Sequence, residues 1–238
     1  MKKILLLAAM AMMGLQMQAQ LVGSTMTMKR TEVVEVKETV DEKWGWNTFS
    51  FEYLALTMSA KSVTTADVKY NDYYNGTASG FGFTYMRAIS LTHNRRVPLY
   101  LEPGIGMEFY VGGKSTHNVK LLTAKVPLNL IYDISFPNSS IHIDPYLGLR
   151  FRANCYGTDE GYDWKKGSYS NDREVFSKDH MGGDGWAFTH FQVGWQVGCK
   201  FRFSKFYLQL GWGTDFNRLI SKNKTSTSQF QSAIGVAF

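Results

Sequence analysis

The sequence holds only two cysteines, Cys155 and Cys199, among 238 residues. Two are too few for a disulfide scaffold or a four-ligand zinc site. Prolines number five, so long stretches run without a residue that breaks a strand ladder. Nothing beyond residue 15 is apolar enough for a spanning helix, which needs about 20 residues. The formal net charge of +6 drops by two, to +4, if Lys2 and Lys3 belong to a cleaved leader. That is far from a nucleic-acid-binding excess, and no nucleic-acid partner is expected. What is present is 44% hydrophobic residues, 15% aromatics and 22 glycines. The apolar content excludes intrinsic disorder. A mean hydropathy of −0.23 excludes a helical membrane protein.

The first segment sets the address. Met1-Lys2-Lys3 precedes the apolar run Ile4 to Leu15, and Gln16, Gln18 and Ala19 follow. A basic start, a short apolar run and a small residue before the cut define a signal peptide over residues 1–19. No cysteine follows the cut, so no lipid anchor is expected. Residues 20–45 alternate weakly among charges and read as a flexible periplasmic leader. The domain proper is placed at 46–238.

From Trp46 onward, apolar and polar residues alternate in eight segments separated by turn-forming residues. One segment sets Phe81, Phe83 and Tyr85 against Gly80, Gly82 and Thr84. Another sets Ile105, Met107 and Phe109 against Gly104, Gly106 and Glu108. The first, Trp46–Met58, alternates over Phe49, Phe51, Tyr53 and Ala55 and then becomes mixed. Alternation alone fits a soluble sandwich. Three features favour a membrane barrel instead. The third and sixth segments run to about 15 and 18 residues, against a usual mode of five or six. Connections are long at Ser59–Thr77, Gly112–Asn118, Cys155–Gly185 and Ser221–Ser226, and tight at His93–Arg96, Pro137–Ser140 and Ser204–Lys205, so long and short ends alternate. The polar face also carries six acids (Glu52, Glu102, Glu108, Asp133, Asp144, Asp215) and five bases (Lys125, Arg150, Arg152, Lys200, Arg202).

Ten glycines share that polar face, and small barrels need small residues inside beside large ones. The polar face therefore points inward and the apolar face meets lipid. The fold class is all-β: an eight-stranded antiparallel up-and-down transmembrane β-barrel, whose interior side chains fill. Pro103, Pro127 and Pro145 lack a ladder donor, so irregular pairing is expected at each. Arg87 falls on the lipid face; either it snorkels or a bulge returns it inward.

The near-equal lumen charges favour a plug of ion pairs over a narrow water path for ions or small solutes. Of the five histidines, His142 and His190 face the lumen by alternation, and no serine shares their face nearby, so no catalytic residue is assigned. Asp179, His180 and Asp184 match no calcium loop and read as a solvated acidic loop, leaving no metal or cofactor site. Cys155 and Cys199 lie on neighbouring strands more than ~20 Å apart along the strand direction, and no disulfide is expected. Tyr70, Tyr73 and Tyr74 in the first loop and Tyr162, Trp164 and Tyr169 in the third are exposed contact candidates. They meet host molecules, lipopolysaccharide or a partner protein, or serve only as a hydrated cover.

The signal peptide, the eight strands and the terminal Phe230-x-Ser232-x-Ile234-x-Val236-x-Phe238 resemble the OmpA/OmpX-like family of small outer-membrane β-barrels. The resemblance covers residues 46–238. It implies a place in the Gram-negative outer membrane, in contact with its lipids and lipopolysaccharide. It also implies that the barrel-insertion machinery reads Phe230, Ile234, Val236 and Phe238. The expected function is non-enzymatic: envelope structure or surface interaction. The alternatives are a porin-like channel, an accessory barrel of a secretion system, or a lipid-modifying barrel enzyme. No peptidoglycan-binding domain is expected after the last strand.

Overall fold

The computed structural model describes residues 45–60, 63–65, 68–70, 74–92, 97–112, 118–136, 139–183 and 185–238. The signal peptide, the leader up to residue 44, Tyr73 and the His93–Arg96 turn lie outside the described residues. In chain order the strands are β1 (Gly45–Ser59), β2 (Val63–Thr65), β3 (Val68–Tyr70), β4 (Gly76–Ser90), β5 (Leu99–Gly112) and β6 (Val119–Tyr132). They continue with β7 (Ile134–Ser135), β8 (Ile141–Asp163), β9 (Ser168–Glu174), β10 (Phe191–Phe203), β11 (Phe206–Asp215) and β12 (Ser226–Ala237), with one helical turn, α1 (Lys178–Met181), after β9.

Eight strands close into an antiparallel barrel in the order β1-β4-β5-β6-β8-β10-β11-β12, and β12 pairs back onto β1. Closure extends to the last residue, where Asn47 and Phe238 exchange backbone hydrogen bonds of 2.8 and 2.9 Å. One row of paired residues runs from Gly45 through Ile89, Leu101, Leu130, Leu147, Val197, Trp212 and Phe230, and returns to β1 at Ala55. The row has climbed ten residues in one circuit. For eight strands that stagger fixes a tilt of about 41° and a backbone radius of about 8 Å. Such a bore is filled by side chains.

Alternation sorts the faces. Outward lie Phe49, Phe51, Phe81, Phe83, Ile105, Met107, Leu147, Leu149, Leu208, Leu210 and Trp212, all exposed. Inward lie Ser50, Glu52, Thr84, Lys125, Asn129, Gln192 and Gln209, all buried. A soluble protein does not present a continuous apolar belt of this extent. Here it is the lipid surface, and the protein is an outer-membrane barrel. No helix of the described residues is long and apolar enough to cross a membrane. Inward glycines make room for large neighbours: a Cβ at Gly211 or Gly198 would sit 2.3 or 2.5 Å from the Tyr146 hydroxyl.

Several expectations are revised. β10 has 13 residues rather than 18, because the chain bends before Phe191. The segment read as a loop from Cys155 is instead largely strand: β8 runs to Asp163 and pairs with β9. The first long connection holds the short β2–β3 hairpin. Ladder pairs are skipped at Pro103 against β4 and at Pro127 against β5, with register kept on both sides. Pro145, by contrast, sits in unbroken register opposite Cys199. A register shift between Leu122 and Thr123 sets Cys155 as an extra residue of β8. Arg87 stays on the outer face in regular register with Asn47, so no bulge turns it inward. It lies three residues from the periplasmic end of β4, where a lipid-facing Arg costs little.

Above the charged lumen the inward face turns apolar. Leu54, Leu56 and Met58 of β1 pack with Ala78, Tyr110, Val119 and Leu121, and with Tyr74, Val175, Met181, Phe188, Leu219 and Ile220 from the extracellular connections. Those connections are sewn together by backbone bonds from Phe188 N to Val175 O (2.8 Å) and from Thr189 N to Leu219 O (2.7 Å). The mixed end of the first segment is the floor of this apolar cap. Leu54→Ala and Leu219→Ala should each destabilise the folded barrel by about 2–4 kcal/mol, measured as lowered urea midpoints in lipid vesicles. Unchanged midpoints would show that the cap is not packed.

Candidate functional site: a paired lumen and a projecting hairpin

Short polar side chains alone would not fill a bore of this size. Long charged ones projecting from opposite walls do, provided that each finds a partner, because an unpaired charge away from water is expensive. All eleven lumen charges expected from the alternation lie inside, and each meets an opposite charge. At the periplasmic end Arg202 reaches Asp144 (2.5 Å) and Asp133 (2.9 Å), and its guanidinium lies 4.0 Å over the Trp46 ring. His142 Nδ1 is 2.8 Å from the other Asp133 oxygen. One level up, Lys200 pairs with Glu102, which also accepts from Asn129 Nδ2 at 3.1 Å. Asn129 in turn accepts from Gln196 Nε2 at 2.6 Å.

At mid-height Lys125 lies between two carboxylates, Glu52 at 2.5 Å and Glu108 at 3.1 Å. Glu52 also accepts from the Thr84 hydroxyl (2.5 Å), and Glu108 from Tyr110 (2.7 Å) and Gln229 (2.9 Å). Highest of the four groups, Asp215 is held by Arg150 at 3.1 Å and by Arg152. Arg152 donates further to Gln192 (3.0 Å), and Arg150 to Gln229 (2.6 Å). Six acids thus face five bases and His142. Amides and hydroxyls occupy further acceptor positions on the carboxylates. Among the described residues Arg152 Nε and Nη1 and Gln209 Oε1 are buried without a hydrogen-bond partner, so the network is dense but not completely satisfied.

Outside the membrane, β8 and β9 form a hairpin with its own buried ion pair. Arg173 donates to both Asp159 oxygens, at 2.8 and 2.6 Å, and to the Tyr162 carbonyl at 2.8 Å. Tyr74 donates to Asp159 at 2.6 Å. A Cβ at Gly161 would sit 2.7 Å from the Arg173 guanidinium, so a larger residue there requires the guanidinium to shift. At the tip, buried Asp163 accepts from the Lys165 and Lys166 amides at 3.0 and 3.2 Å and lies 2.8 Å from His180 Nδ1. Burial works against its ionisation. The His180 hydrogen bond and the two amides outweigh that and hold its carboxyl below the usual carboxylate range.

The loop contact candidates separate. Tyr162, Trp164 and Tyr169 are exposed. Tyr74 is not: its ring packs 5.3 Å from Phe188 and its hydroxyl is committed to Asp159, so it belongs to the cap. The side chain of Tyr70 and all of Tyr73 lie outside the described residues. Phe230, Ile234, Val236 and Phe238 all face outward. His190 is exposed rather than luminal, because β10 begins only at Phe191 and alternation does not extend above it. Its ring stacks on Phe176 at 4.5 Å, and Nδ1 lies 3.3 Å from the Asn154 carbonyl. His180 is tied to Asp163 rather than facing a cation loop, and Asp184 lies outside the described residues. Cys155 is exposed and Cys199 half-buried, both as free thiols. The parity of the first strand, in which Leu54, Leu56 and Met58 continue the inward face, was the available signal for the cap.

Removing Lys125 while keeping both carboxylates should be the most damaging single change in the lumen. Lys125→Met is expected to cost about 3–5 kcal/mol. The triple variant Lys125→Met, Glu52→Gln, Glu108→Gln should recover most of that loss in the same vesicle unfolding assay. Equal destabilisation by single and triple variants would contradict the pairing.

No family model matches the chain, and no curated protein matches it in sequence. Solved structures do resemble it. Ail, the attachment invasion locus protein of Yersinia pestis, aligns over 82% of this chain and 99% of its own, at 10% identity and a TM-score of 0.45. Neisserial surface protein A aligns over 81% and 97%, at 13% identity and a TM-score of 0.43. The outer membrane enzyme PagL aligns over 79% and 98%, at 10% identity and a TM-score of 0.44. These likenesses concern fold; the membrane assignment rests on the two faces of the barrel itself, an apolar belt outside and a paired polar lumen within.

Proposed function

We propose that the protein is a non-enzymatic, closed barrel of the outer membrane that serves envelope structure and surface interaction by holding an ordered extracellular hairpin above the leaflet. The observation that carries this reading is double closure of the bore. Paired charges occupy the membrane-embedded length, and an apolar cap lies over them. A water path needs a continuous polar wall; the inward face at Leu54, Leu56 and Tyr110 is buried and apolar. The histidines support the non-enzymatic part. His142 hydrogen-bonds Asp133 and His190 a backbone carbonyl, and among the described residues neither ring hydrogen-bonds the serine, threonine or cysteine that a base and its nucleophile would pair.

A narrow channel for ions or small solutes is the alternative, and conductance separates the two. Full-length protein reconstituted into planar bilayers should give no reproducible single-channel steps at moderate voltage. Stable, uniform steps would overturn the closed-barrel reading in favour of the pore.

A further inference from the structure

The β8–β9 hairpin carries the barrel's outer surface upward past the lipid. After the extra residue at Cys155, even-numbered residues of β8 face outward. Tyr156 lies opposite Leu122 at the upper edge of the apolar belt, and Tyr162 pairs with Tyr169 six residues further along. At ~3.3 Å per residue and a tilt of ~41°, those six residues lift Tyr162 about 15 Å above Tyr156. Trp164 follows in the turn at the hairpin tip. An interfacial aromatic girdle explains Tyr156. It does not explain three large rings well above the hydrocarbon, with Trp164 62% and Tyr169 63% exposed.

Two of these rings, Tyr162 and Trp164, are held by contacts. Tyr162 and Trp164 meet edge to face at 5.1 Å. The Trp164 amide donates to the His180 carbonyl at 3.2 Å, and its indole lies against Gly182, where a Cβ would come within 2.5 Å of Nε1. Gly182 has φ +84 and closes α1, so both its conformation and its lack of a side chain serve the ring. Below, the hairpin is pinned by Asp159–Arg173, and at its tip by Asp163–His180. Rigid aromatic surface loses little entropy on binding.

Facing sideways and continuous with the lipid surface, this face meets what stands beside the barrel rather than what approaches from above. In an outer membrane the space directly above the acyl chains is occupied by the sugars of the glycolipid leaflet. A sugar ring presents an apolar C–H face that suits the negative face of an aromatic ring. The charges between the two aromatic levels decide against bare phosphate recognition. Glu174 is exposed there beside Asp172, and Lys120 is paired to Asp172 at 3.2 Å. We infer that Tyr162, Trp164 and Tyr169 form a lateral stacking surface for the core sugars of the lipopolysaccharide in which the barrel is embedded. This goes beyond the closed-barrel reading and does not depend on the lumen being sealed.

The test uses full-length protein in detergent, titrated with purified lipopolysaccharide bearing its core sugars and, separately, with lipid A lacking them. Bound glycolipid is counted by native mass spectrometry. The core-bearing form should bind about tenfold tighter, equivalent to ~1.4 kcal/mol, and added salt should leave that preference unchanged. Replacing all three rings (Tyr162→Ser, Trp164→Ser, Tyr169→Ser) should abolish the preference while lipid A binding stays the same. Should that variant fail to fold, as judged by its gel mobility without heating, Tyr169→Ser alone is the reporter and should lose part of the preference. Equal binding of both glycolipids, a preference that survives ring removal, or one that salt abolishes would each overturn the inference.

Discussion

Hydrocarbon offers no hydrogen bonds, so every backbone amide crossing it must find a partner within the protein. A sheet meets that demand only by closing on itself. In this chain the last strand returns to the first, down to the pair between Asn47 and Phe238. Closure of eight strands with a ten-residue climb fixes the bore, and the bore dictates what the inward residues must be. Glycines stand where Tyr146 and Tyr207 cross the lumen, and opposed charges stand where long side chains span it. The paired interior thus follows from the backbone requirement.

Along the axis the interior changes character. Within the membrane the inward face is ionic, and above it the same face becomes an ordinary hydrophobic core roofed by Phe188, Leu219 and Ile220. The two halves solve different problems. Lipid surrounds the lower wall, so the apolar residues lie outside and the polar ones within. Water surrounds the upper wall, so burial of apolar side chains inside again becomes favourable. The projecting hairpin inherits the second regime and holds itself in shape with the buried Asp159–Arg173 pair.

Facing was legible in the sequence wherever strands kept their period, because a two-residue repeat assigns each side chain to one side. The eleven lumen charges were found that way. Their pairing was not legible: that Lys125 joins Glu52 to Glu108, and Asp215 joins Arg150 to Arg152, depends on register and stagger, which no single strand encodes. The cap was hidden because the inward residues change in polarity from Glu52 to Leu54 and Leu56, and only the unbroken parity marks them as one face. The length of β8 was hidden by one extra residue at Cys155, which reverses the faces and makes a strand read as loop. Tyr74 was misplaced because proximity in sequence to other loop tyrosines says nothing about the Asp159 carboxylate, brought to it by the fold.

The charged lumen should be filled by its own side chains and closed to water-borne reagents. Gln196 faces it one level below mid-height, bonded to Asn129. In a variant with Cys155→Ser and Cys199→Ser, Gln196→Cys supplies a lone thiol whose reaction with a water-soluble methanethiosulfonate can be followed in lipid vesicles. The account predicts no labelling until the barrel is unfolded in denaturant. Rapid labelling of the folded protein would contradict it.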